Sequence, residues 1–301
     1  MHTASAWQFN LPLSRMHKLP ANATILEHEL SQVRLSLERE TGVLLDISDA
    51  QLSDLLTERV PTRAAKSTDD YIHALCNTES ERERLAELLI SGETRFFRYP
   101  AAFQAFTKLA LPELEERWSH DNQRNLRIWS AGSSSGQEPY SIAISLCEAL
   151  KCSKEAWNIQ IIATDIRATA LQAAERGLYC DSELQNMPLE MLQTYFARIG
   201  QHYLVKPRIR NLVTFTRANL TKPNYIGRFD CIFCMDVLPH FSAAQRSAVI
   251  EKMHMYLQPG GFLFLGQGEK LPATNVTLRW RQCSDYMMYQ RPLAAGAASS
   301  Q

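Results

Sequence analysis

The sequence predicts an α/β protein in which helices cover both faces of a mostly parallel sheet, with an all-α N-terminal domain before it. Three observations predict this class. The first 90 or so residues carry only helical patterns, apolar strands alternate with amphipathic helices from residue 124 onward, and one short β-rich stretch interrupts that alternation. We expect a helical domain over 21–90, a linker helix over 91–123, a sheet domain over 124–291 and a disordered tail over 292–301.

Composition is that of an ordinary globular protein. The chain has 301 residues, of which 45% are hydrophobic, and its 32 basic residues balance 32 acidic ones. A net charge of zero indicates no bulk attraction to nucleic acid or to an anionic membrane. No apolar run approaches the roughly 18 residues of a membrane span, the N-terminus lacks the apolar core of a signal peptide, and seven scattered cysteines are typical of reduced thiols. We therefore expect a cytoplasmic monomer with no nucleic-acid partner and no membrane insertion.

The first predicted helix follows the helical period of apolar residues. Leu26, Leu30, Val33 and Leu37 fall on one face, and Gly42 is placed to end the helix. These positions predict that the N-terminal domain buries one face of this helix in a small bundle.

Three more helices are predicted in the N-terminal domain, and two of them open with a capping-box spacing. The boxes pair Ser48 with Gln51 and Thr78 with Glu81. Three basic residues stand at the end of the second helix: Arg59, Arg63 and Lys66. They form either a solvated face or a docking patch for an acidic partner.

The sheet domain is predicted from four apolar strands, three of which are followed by a helical pattern. The strands are "LRIWSA", "IQIIATD", "FDCIFCMDVL" and "GGFLFLGQG". The final segment, "VTLRWRQCSDYMMYQ", has two strand-like pieces with no helix between them and predicts an antiparallel hairpin at the sheet edge. Residues of about 194–217 hold three short β-prone pieces, which we expect to form a small antiparallel β-subdomain inserted into the sheet domain.

Cys231 and Cys234 have the C-x-x-C spacing of some metal and redox sites. They sit inside an apolar strand, where residues three apart point to opposite faces. Two buried strand cysteines are therefore favoured over a shared metal. The eight histidines form no H-x-x-x-H pair, and we predict no metal site.

The loop "GSSSGQE", which begins at Gly132, joins the first strand to its helix and admits more than one interpretation. A phosphate loop needs Lys and Ser or Thr where Gln137 and Glu138 stand, so that interpretation is excluded. The pattern G-x-S-x-G also matches a nucleophile elbow, in which Ser134 would attack. Its partners would be a later Asp and His, namely Asp230 or Asp236 with His240 or His254. An α/β-hydrolase thus stays open as a remote alternative.

A third interpretation is a binding loop for a nucleoside that carries positive charge. Rossmann-like sheets bind ligands beyond the carboxyl ends of their strands, and small residues let a ligand approach the backbone. Glu138 at the helix start suits a cationic amino or sulfonium group, and Asp165 ends the second strand, where an acidic side chain takes ribose hydroxyls. Together these residues point to S-adenosylmethionine.

Several longer motifs occur in the same order as in one known family. They are "ETRFFRYPAAF", "WSAGSSSGQEPYSIAISL", "ATDI", "ANL", "FDCIFCMDVLPHF" and "LQPGGFLFLGQGE". With them the chain resembles the CheR family of chemotaxis receptor glutamate methyltransferases from roughly Ala21 to Gln290. The resemblance implies a Rossmann-like methyltransferase that moves a methyl group from S-adenosylmethionine to glutamate side chains of chemoreceptors, with S-adenosylhomocysteine as the product. A glutamate side chain is ionised at neutral pH, so this attack needs no general base.

The resemblance also implies roles for individual residues. Thr94 and Arg98 would reach the cofactor from the linker, Glu138 would hold its amino group and Asp165 its ribose. Two residues would line the adenine, Asn219 and Leu220, and two would lie beside the methionine part and the incoming carboxylate, Asp236 and Val237. The expected catalytic residues are Arg98, Asp236 and His240. The inserted β-subdomain would touch the receptor's cytoplasmic helical domain, and the basic N-terminal helix would lie along its coiled coil.

The chain departs from the family pattern at several positions. Gly92 stands in place of Asn, Gln137 in place of Glu, Met235-Asp236 in place of Arg-Asn, and His240 in place of a Tyr. An anion at Asp236 could repel a substrate carboxylate, although it would also attract the sulfonium. Two interpretations follow: an active methyltransferase with altered receptor preference, or a degenerate member that binds the cofactor or its product and acts as a sensor or adaptor.

Overall fold

The computed structural model describes residues 25–59, 68–90, 92, 94–117, 124–151, 157–185, 187–222 and 227–293, without the side chains of Arg59, Thr68 and Asp69. The described residues divide into two compact units. One unit holds residues 25–40 and 45–85, and the other holds residues 41–44 and those from 86 onward.

The first unit is built from helices, as predicted. They are α1 (Glu27–Thr41), α2 (Asp49–Arg59), α3 (Thr68–Asn77) and α4 (Glu79–Leu89), of which α1 and α4 end in the second unit. Leu30, Val33 and Leu37 are buried in this unit, as their period predicts. Leu26 was wrongly placed on that face, because it is 56% exposed and Ile25 is buried instead. Leu26 precedes the first helical residue, so the helical period does not extend to it.

The capping signals of this unit have different outcomes. The Ser48 box is confirmed, since Ser48 Oγ accepts from the Gln51 amide at 3.2 Å and Gln51 Oε1 accepts from the Ser48 amide at 2.9 Å. Glu81 accepts a hydrogen bond from the Tyr71 hydroxyl at 2.8 Å, and its capping role stays a prediction. The basic patch of Arg59, Arg63 and Lys66 lies outside the described side chains and also stays a prediction.

The second unit carries the sheets. Its helices are α5 (Pro100–Ala105) and α6 (Leu111–Arg117), joined by a π-helical turn (Phe106–Ala110), then α7 (Gln137–Leu150), α8 (Ala168–Arg176), α9 (Asp181–Leu184), α10 (Leu189–Tyr195), α11 (Pro207–Arg210), a 3₁₀ turn (Leu238–His240) and α12 (Ala243–Tyr256). Its strands are β1 (Arg124–Ala131), β2 (Trp157–Asp165), β3 (Leu178–Cys180), β4 (Phe196–Ile199), β5 (His202–Val205), β6 (Val213–Arg217), β7 (Phe229–Cys234), β8 (Leu257–Leu265), β9 (Arg279–Cys283) and β10 (Tyr286–Gln290).

Seven strands form the main sheet in the order β6-β2-β1-β7-β8-β10-β9. The first five run parallel to one another, and β10 and β9 form an antiparallel hairpin at the edge. The predicted α/β class and the predicted C-terminal hairpin are therefore confirmed. The chain order reverses between β1 and β7, which is where such sheets open a crevice for a ligand.

The small antiparallel sheet exists, but its third strand was wrongly assigned. Its order is β3-β5-β4, so the strand that completes it comes from residues just after α8. The last β-prone piece of the predicted insert is β6, which pairs in parallel with β2 in the main sheet. Val213 and Phe215 of this strand pack against the core of the main sheet, which accounts for the pairing. A strand of three residues such as β3 is too short to be recognised from its pattern.

Each face of the main sheet carries its own hydrophobic core. Ile128 and Phe233 face one core, and their neighbours Trp129 and Ile232 face the other. The same alternation separates Cys231 from Cys234, which are fully buried in opposite cores, as predicted. Within the described residues, no group of three or more His, Cys, Asp or Glu side chains could hold a metal ion. The described part of the chain also has no helix long and apolar enough to cross a membrane.

Aromatic packing fixes the helix that leads into the sheet. Phe103 of α5 stacks on Phe233 of β7 with ring centroids 6.2 Å apart, and Phe106 meets the same ring edge-on at 5.4 Å. Pro100 is the first residue of α5, a position that suits its fixed φ. This packing holds the residues just before Pro100 near the carboxyl end of β7.

Candidate cofactor pocket

A cavity of about 340 Å³ opens at the carboxyl ends of β1, β2, β6 and β7. That volume lies within the usual range of small-molecule sites. All the residues predicted to act in catalysis or to bind the cofactor line it: Thr94, Arg98, Glu138, Asp165, Asn219, Leu220, Asp236, Val237 and His240. They come from five separate stretches of the chain, which the fold brings together in one pocket.

The glycine–serine loop is folded tightly against the end of β2. The amides of Gly132 and Ser133 both donate to the Thr164 carbonyl, at 2.8 and 2.9 Å. Gly132 has φ +79°, and a Cβ added there would lie 2.5 Å from Cγ2 of Val237. A side chain at Gly132 would therefore close the pocket, which explains the small residue at this position.

Glu138 lies in the first turn of α7 and faces the pocket. Its Oε1 accepts a hydrogen bond from Ser130 Oγ at 2.6 Å. Burial raises the pKa of Glu138 to about 8, and the negative charges of Asp236 and Glu269 act in the same direction. The Ser130 hydroxyl and the Arg98 charge oppose that rise without cancelling it. This carboxyl group is thus set to gain from a cation supplied by a ligand.

Asp165 ends β2 and is only 6% exposed. Its Oδ2 accepts from the Ser134 amide at 2.8 Å, and its Oδ1 accepts from both the amide and the Nε of Arg167, at 2.9 and 3.2 Å. A carboxylate offers about two lone pairs on each oxygen. The two Arg167 donors therefore occupy Oδ1, whereas Oδ2 keeps an acceptor position for one more donor. Sequence reasoning missed Arg167.

Asp236 follows β7 and is bound by two residues of the linker. Arg98 Nε lies 3.1 Å from Oδ2, and the Tyr99 hydroxyl lies 2.7 and 2.8 Å from the two carboxylate oxygens. Burial, followed by the hydrogen bond to Asp236, raises the pKa of Tyr99, so its hydroxyl stays a donor at neutral pH. The repulsion expected from an anion at this position is therefore offset within the protein. Tyr99 was missed, although it directly follows Arg98.

Glu269 binds the backbone of Asp236, and sequence reasoning missed this residue too. Its Oε2 accepts from the Asp236 amide at 3.1 Å and from the Gly266 amide. Burial raises the pKa of Glu269. Asp236 itself has φ +59°, a conformation that a non-glycine residue rarely adopts, and the bond to Glu269 helps to hold it. No short motif of the sequence contains both residues, which is why the pattern gave no signal.

The other pocket residues form its walls. The side chain of Asn219 is hydrogen-bonded to the backbone around it. Its Oδ1 accepts from the Thr221 amide at 2.9 Å, and its Nδ2 donates to the Thr41 carbonyl at 3.0 Å. Leu220 adds a buried apolar surface. His240 lines the cavity, and its carbonyl accepts from the Leu44 amide at 2.7 Å.

Gln137 points away from the pocket toward α9, the short helix that follows β3. Its Nε2 donates to Glu183 Oε1 at 2.9 Å, and its Oε1 accepts from Ser135 Oγ at 2.8 Å. A glutamate at this position would face the Glu183 carboxylate, so the amide suits its surroundings. Tyr179 of β3 adds a second bond, since its hydroxyl donates to the Ser135 carbonyl at 2.7 Å. The small sheet is thus bonded directly to the glycine–serine loop.

The geometry gives the hydrolase interpretation no support. Ser134 Oγ lies 2.9 Å from Arg167 Nη2 and 3.3 Å from the Gly92 carbonyl, so its described hydrogen bonds go to neither candidate histidine. Asp230 accepts from the Arg127 amide at 2.9 Å. Asp236 is held by Arg98 and Tyr99 instead of orienting a histidine beside Ser134.

The pocket suits a nucleoside that carries positive charge. Glu138 has a hydroxyl partner but a raised pKa, Asp165 keeps one acceptor position, and Leu220 and Val237 supply apolar walls. These features fit S-adenosylmethionine, whose amino and sulfonium groups are cationic and whose ribose offers hydroxyl donors.

Comparison with known proteins agrees with this assignment. Residues 92–287 match the family model described as "CheR methyltransferase, SAM binding domain". The chain is 34% identical to chemotaxis protein methyltransferase 1 of Pseudomonas aeruginosa, over 85% of this chain and 95% of that protein. It is 33% identical to chemotaxis protein methyltransferase Cher2 of Pseudomonas putida, over 87% and 97% of the two chains. A chemotaxis protein methyltransferase of Vibrio parahaemolyticus is 31% identical, over 89% and 98%.

Proposed function

Because the chain belongs to the CheR methyltransferase family, whose cofactor is S-adenosylmethionine, we propose that it methylates glutamate side chains of chemoreceptors. The products would be glutamate methyl esters and S-adenosylhomocysteine. The relatives named as chemotaxis protein methyltransferases, matched over nearly their whole length, support this choice of substrate. The substrate would be the cytoplasmic helical domain of a receptor, so the proposal also implies a cytoplasmic enzyme.

In this proposal, separate segments of the pocket bind separate parts of the cofactor. Glu138 binds the cofactor's amino group, Asp165 Oδ2 accepts from its ribose, and Asn219 and Leu220 enclose its base. The cofactor supplies a methyl group on a positively charged sulfur. The protein holds that methyl group in line with a glutamate oxygen, and positioning of this kind can contribute roughly 7–11 kcal/mol to lowering the barrier.

The observation that carries the proposal is the pair of contacts that Arg98 and Tyr99 make with the Asp236 carboxylate. Arg98 and Tyr99 bind both of its oxygens, so the pocket does not present an uncompensated anion to an arriving carboxylate. An ionised glutamate attacks without losing a proton, and charge disappears as the ester and the thioether form. Arg98 would therefore orient the acceptor, and the reaction would need no histidine or paired acid as a base.

A methylation assay tests the proposal. The purified protein would be incubated with methyl-labelled S-adenosylmethionine and a panel of chemoreceptor cytoplasmic fragments. We expect labelled receptor that releases volatile methanol on treatment with base, the behaviour of a methyl ester. The Asp165→Ala variant serves as the control for cofactor dependence.

The same assay separates the degenerate alternative. If the protein binds S-adenosylmethionine in calorimetry but yields no base-labile methanol from any receptor, a sensor or adaptor role replaces methyl transfer. Label that is stable to base would show transfer to another kind of side chain.

We also propose the basic residues after α2 as a receptor contact, by resemblance and by their charge. Replacing Arg59, Arg63 and Lys66 together by Glu should slow association with an acidic receptor helix and leave cofactor binding unchanged. The effect should shrink as salt is added, because exposed charges are screened. Stopped-flow association at two ionic strengths measures it, and equal rates for wild type and variant at low salt would show a solvated face.

A further inference from the structure

Arg167 lies two residues after the end of β2, and its side chain contacts three separate parts of the pocket wall. Its Nη1 donates to the Ile90 carbonyl at 3.2 Å, its Nη2 to Ser134 Oγ at 2.9 Å, and its Nε to Asp165 Oδ1 at 3.2 Å. The side chain is only 13% exposed. One planar guanidinium thus joins the residue just before the linker, the glycine–serine loop and the carboxylate that ends β2.

Gly92 leaves the space that this guanidinium occupies. A Cβ added at Gly92 would lie 2.8 Å from Nη2 of Arg167 and 3.4 Å from its Cζ. The backbone of Gly92 does not require glycine, since its φ lies outside the left-handed region. Its carbonyl also accepts from Ser134 Oγ at 3.3 Å. The lack of a side chain at Gly92 is therefore matched to Arg167 and not to a turn.

The guanidinium cannot swing aside without loss. Moving away from a new Cβ would break its bonds to Ile90, Ser134 or Asp165, and bonds made by charged groups are the stronger kind. Glu87, three residues before Ile90, makes a second contact with the start of α8. Its carboxylate accepts from the Ala168 amide at 2.9 Å and from Thr169 Oγ1 at 3.3 Å. Glu87 and Ile90 are therefore both held against the residues that open α8.

We propose that Arg167 is a positioning residue for the cofactor and that Gly92 is its matched partner. Arg167 occupies Oδ1 of Asp165 and so turns Oδ2 toward the ligand. It also lays the linker along the pocket wall, which places Thr94 and Arg98 where they line the cavity. Gly92 stands where the resemblance leads us to expect asparagine, and the guanidinium occupies the space that a side chain at this position would need. The proposal depends on the assignment of Asp165 as a cofactor ligand but not on the choice of receptor.

A double-mutant cycle read by calorimetry with S-adenosylhomocysteine tests this pairing. We expect Gly92→Ala and Arg167→Ala each to weaken binding about tenfold. In the Arg167→Ala background the guanidinium is gone, so adding Gly92→Ala should change affinity by less than twofold. Neighbours that share a contact give such non-additive effects. Arg167→Lys should not restore affinity, since one ammonium cannot replace the fork of donors.

Controls separate positioning from a general loss of structure. Arg176→Ala removes an exposed arginine at the other end of α8 and should leave affinity unchanged. Melting temperatures of all variants should stay within a few degrees of wild type. If Arg167→Ala does not fold, the same cycle is run with Arg167→Gln. Additive losses, or wild-type affinity in Arg167→Ala, would overturn the proposal. A variant set that behaves as expected while no receptor is methylated would retain this proposal and reject the proposed substrate.

Discussion

Two acidic residues at the same edge of the sheet differ in the partners that the protein gives them. The loop between β1 and α7 carries Glu138, whose closest polar contact is the neutral hydroxyl of Ser130 and whose pKa burial raises to about 8. The loop after β7 carries Asp236, which is bound by the Arg98 cation and the Tyr99 hydroxyl. The partner of Glu138 is a neutral hydroxyl, whereas Asp236 has a cationic partner within the protein.

The proposed reaction brings a cationic cofactor and an anionic acceptor into one pocket, and the difference between the two acids divides charge between them. Glu138, whose hydrogen-bond partner is a neutral hydroxyl, is stabilised in its ionised form by a positively charged cofactor. In the proposed reaction, the compensated acid at Asp236 would let a negatively charged acceptor approach from the other side. Three of the departures expected from the resemblance, at Met235, Asp236 and His240, fall on or near the second loop. The effect of a substitution at Asp236 therefore depends on its neighbours in the linker.

The largest expected effect belongs to the first side of the pocket. Asp165→Ala should weaken S-adenosylhomocysteine binding by about 1.5–3 kcal/mol, because it removes an ionised acceptor and leaves the Ser134 amide without its partner. Calorimetry measures the loss. Asp181→Ala, an exposed acid at the start of α9, is the matched control and should bind like wild type. Unchanged affinity in Asp165→Ala would remove Asp165 from the site.

The pH dependence of binding sharpens the contrast between the two acids. With its pKa raised to about 8, Glu138 is protonated in the free protein at pH 7. A bound cation favours the ionised form, so binding releases a proton and affinity should rise with pH, by up to about tenfold per unit, until pH 8. Calorimetry between pH 5.5 and 8 measures the slope, and Glu138→Gln should flatten it. An unaltered slope in that variant would assign the proton to another group.

Tyr99→Phe tests the second loop. Losing both hydroxyl contacts to Asp236 should reduce receptor methylation about tenfold, the size expected for a hydrogen bond to a charged group. The affinity for S-adenosylhomocysteine should stay within twofold. In an Asp236→Asn background the same change should have little effect, because no anion then needs compensation. An equal loss of cofactor affinity would mean that both loops serve the cofactor alone.

The smallest effect is expected at Ser134, which belongs to the first loop but carries no charge. Ser134→Ala should reduce methylation by about threefold or less, because Arg167 keeps its bonds to Asp165 and Ile90 when this hydroxyl contact is lost and the net cost falls to the low end of hydrogen-bond contributions, about 0.5 kcal/mol. A fluorophosphonate probe should not label wild type. Labelling at Ser134, or complete loss of activity in the variant, would revive the nucleophile interpretation.

Short motifs allowed much of the site to be predicted, since the ends of parallel strands meet at one edge of a sheet. Glu138 and Asp165 each stand directly after a recognisable strand or loop, and the fold places both in the pocket. Tyr99, Arg167 and Glu269 act through contacts with residues distant in sequence, and no periodicity records such contacts. The edge strand β6 was assigned to the wrong sheet for a related reason, because a β-prone segment does not carry the identity of its pairing strand.

The bonds that Tyr179 of β3 and Glu183 of α9 make to the glycine–serine loop have a consequence for motion. Both side chains reach residues 135–137, so β3 and the short helix after it cannot detach while that loop keeps its structure. The two segments should then open as one cooperative unit in native-state hydrogen exchange, with amides in β3 and at the start of α7 exchanging at matched rates. A ligand that slows exchange in the loop would slow it in the small sheet as well, although it touches only the loop.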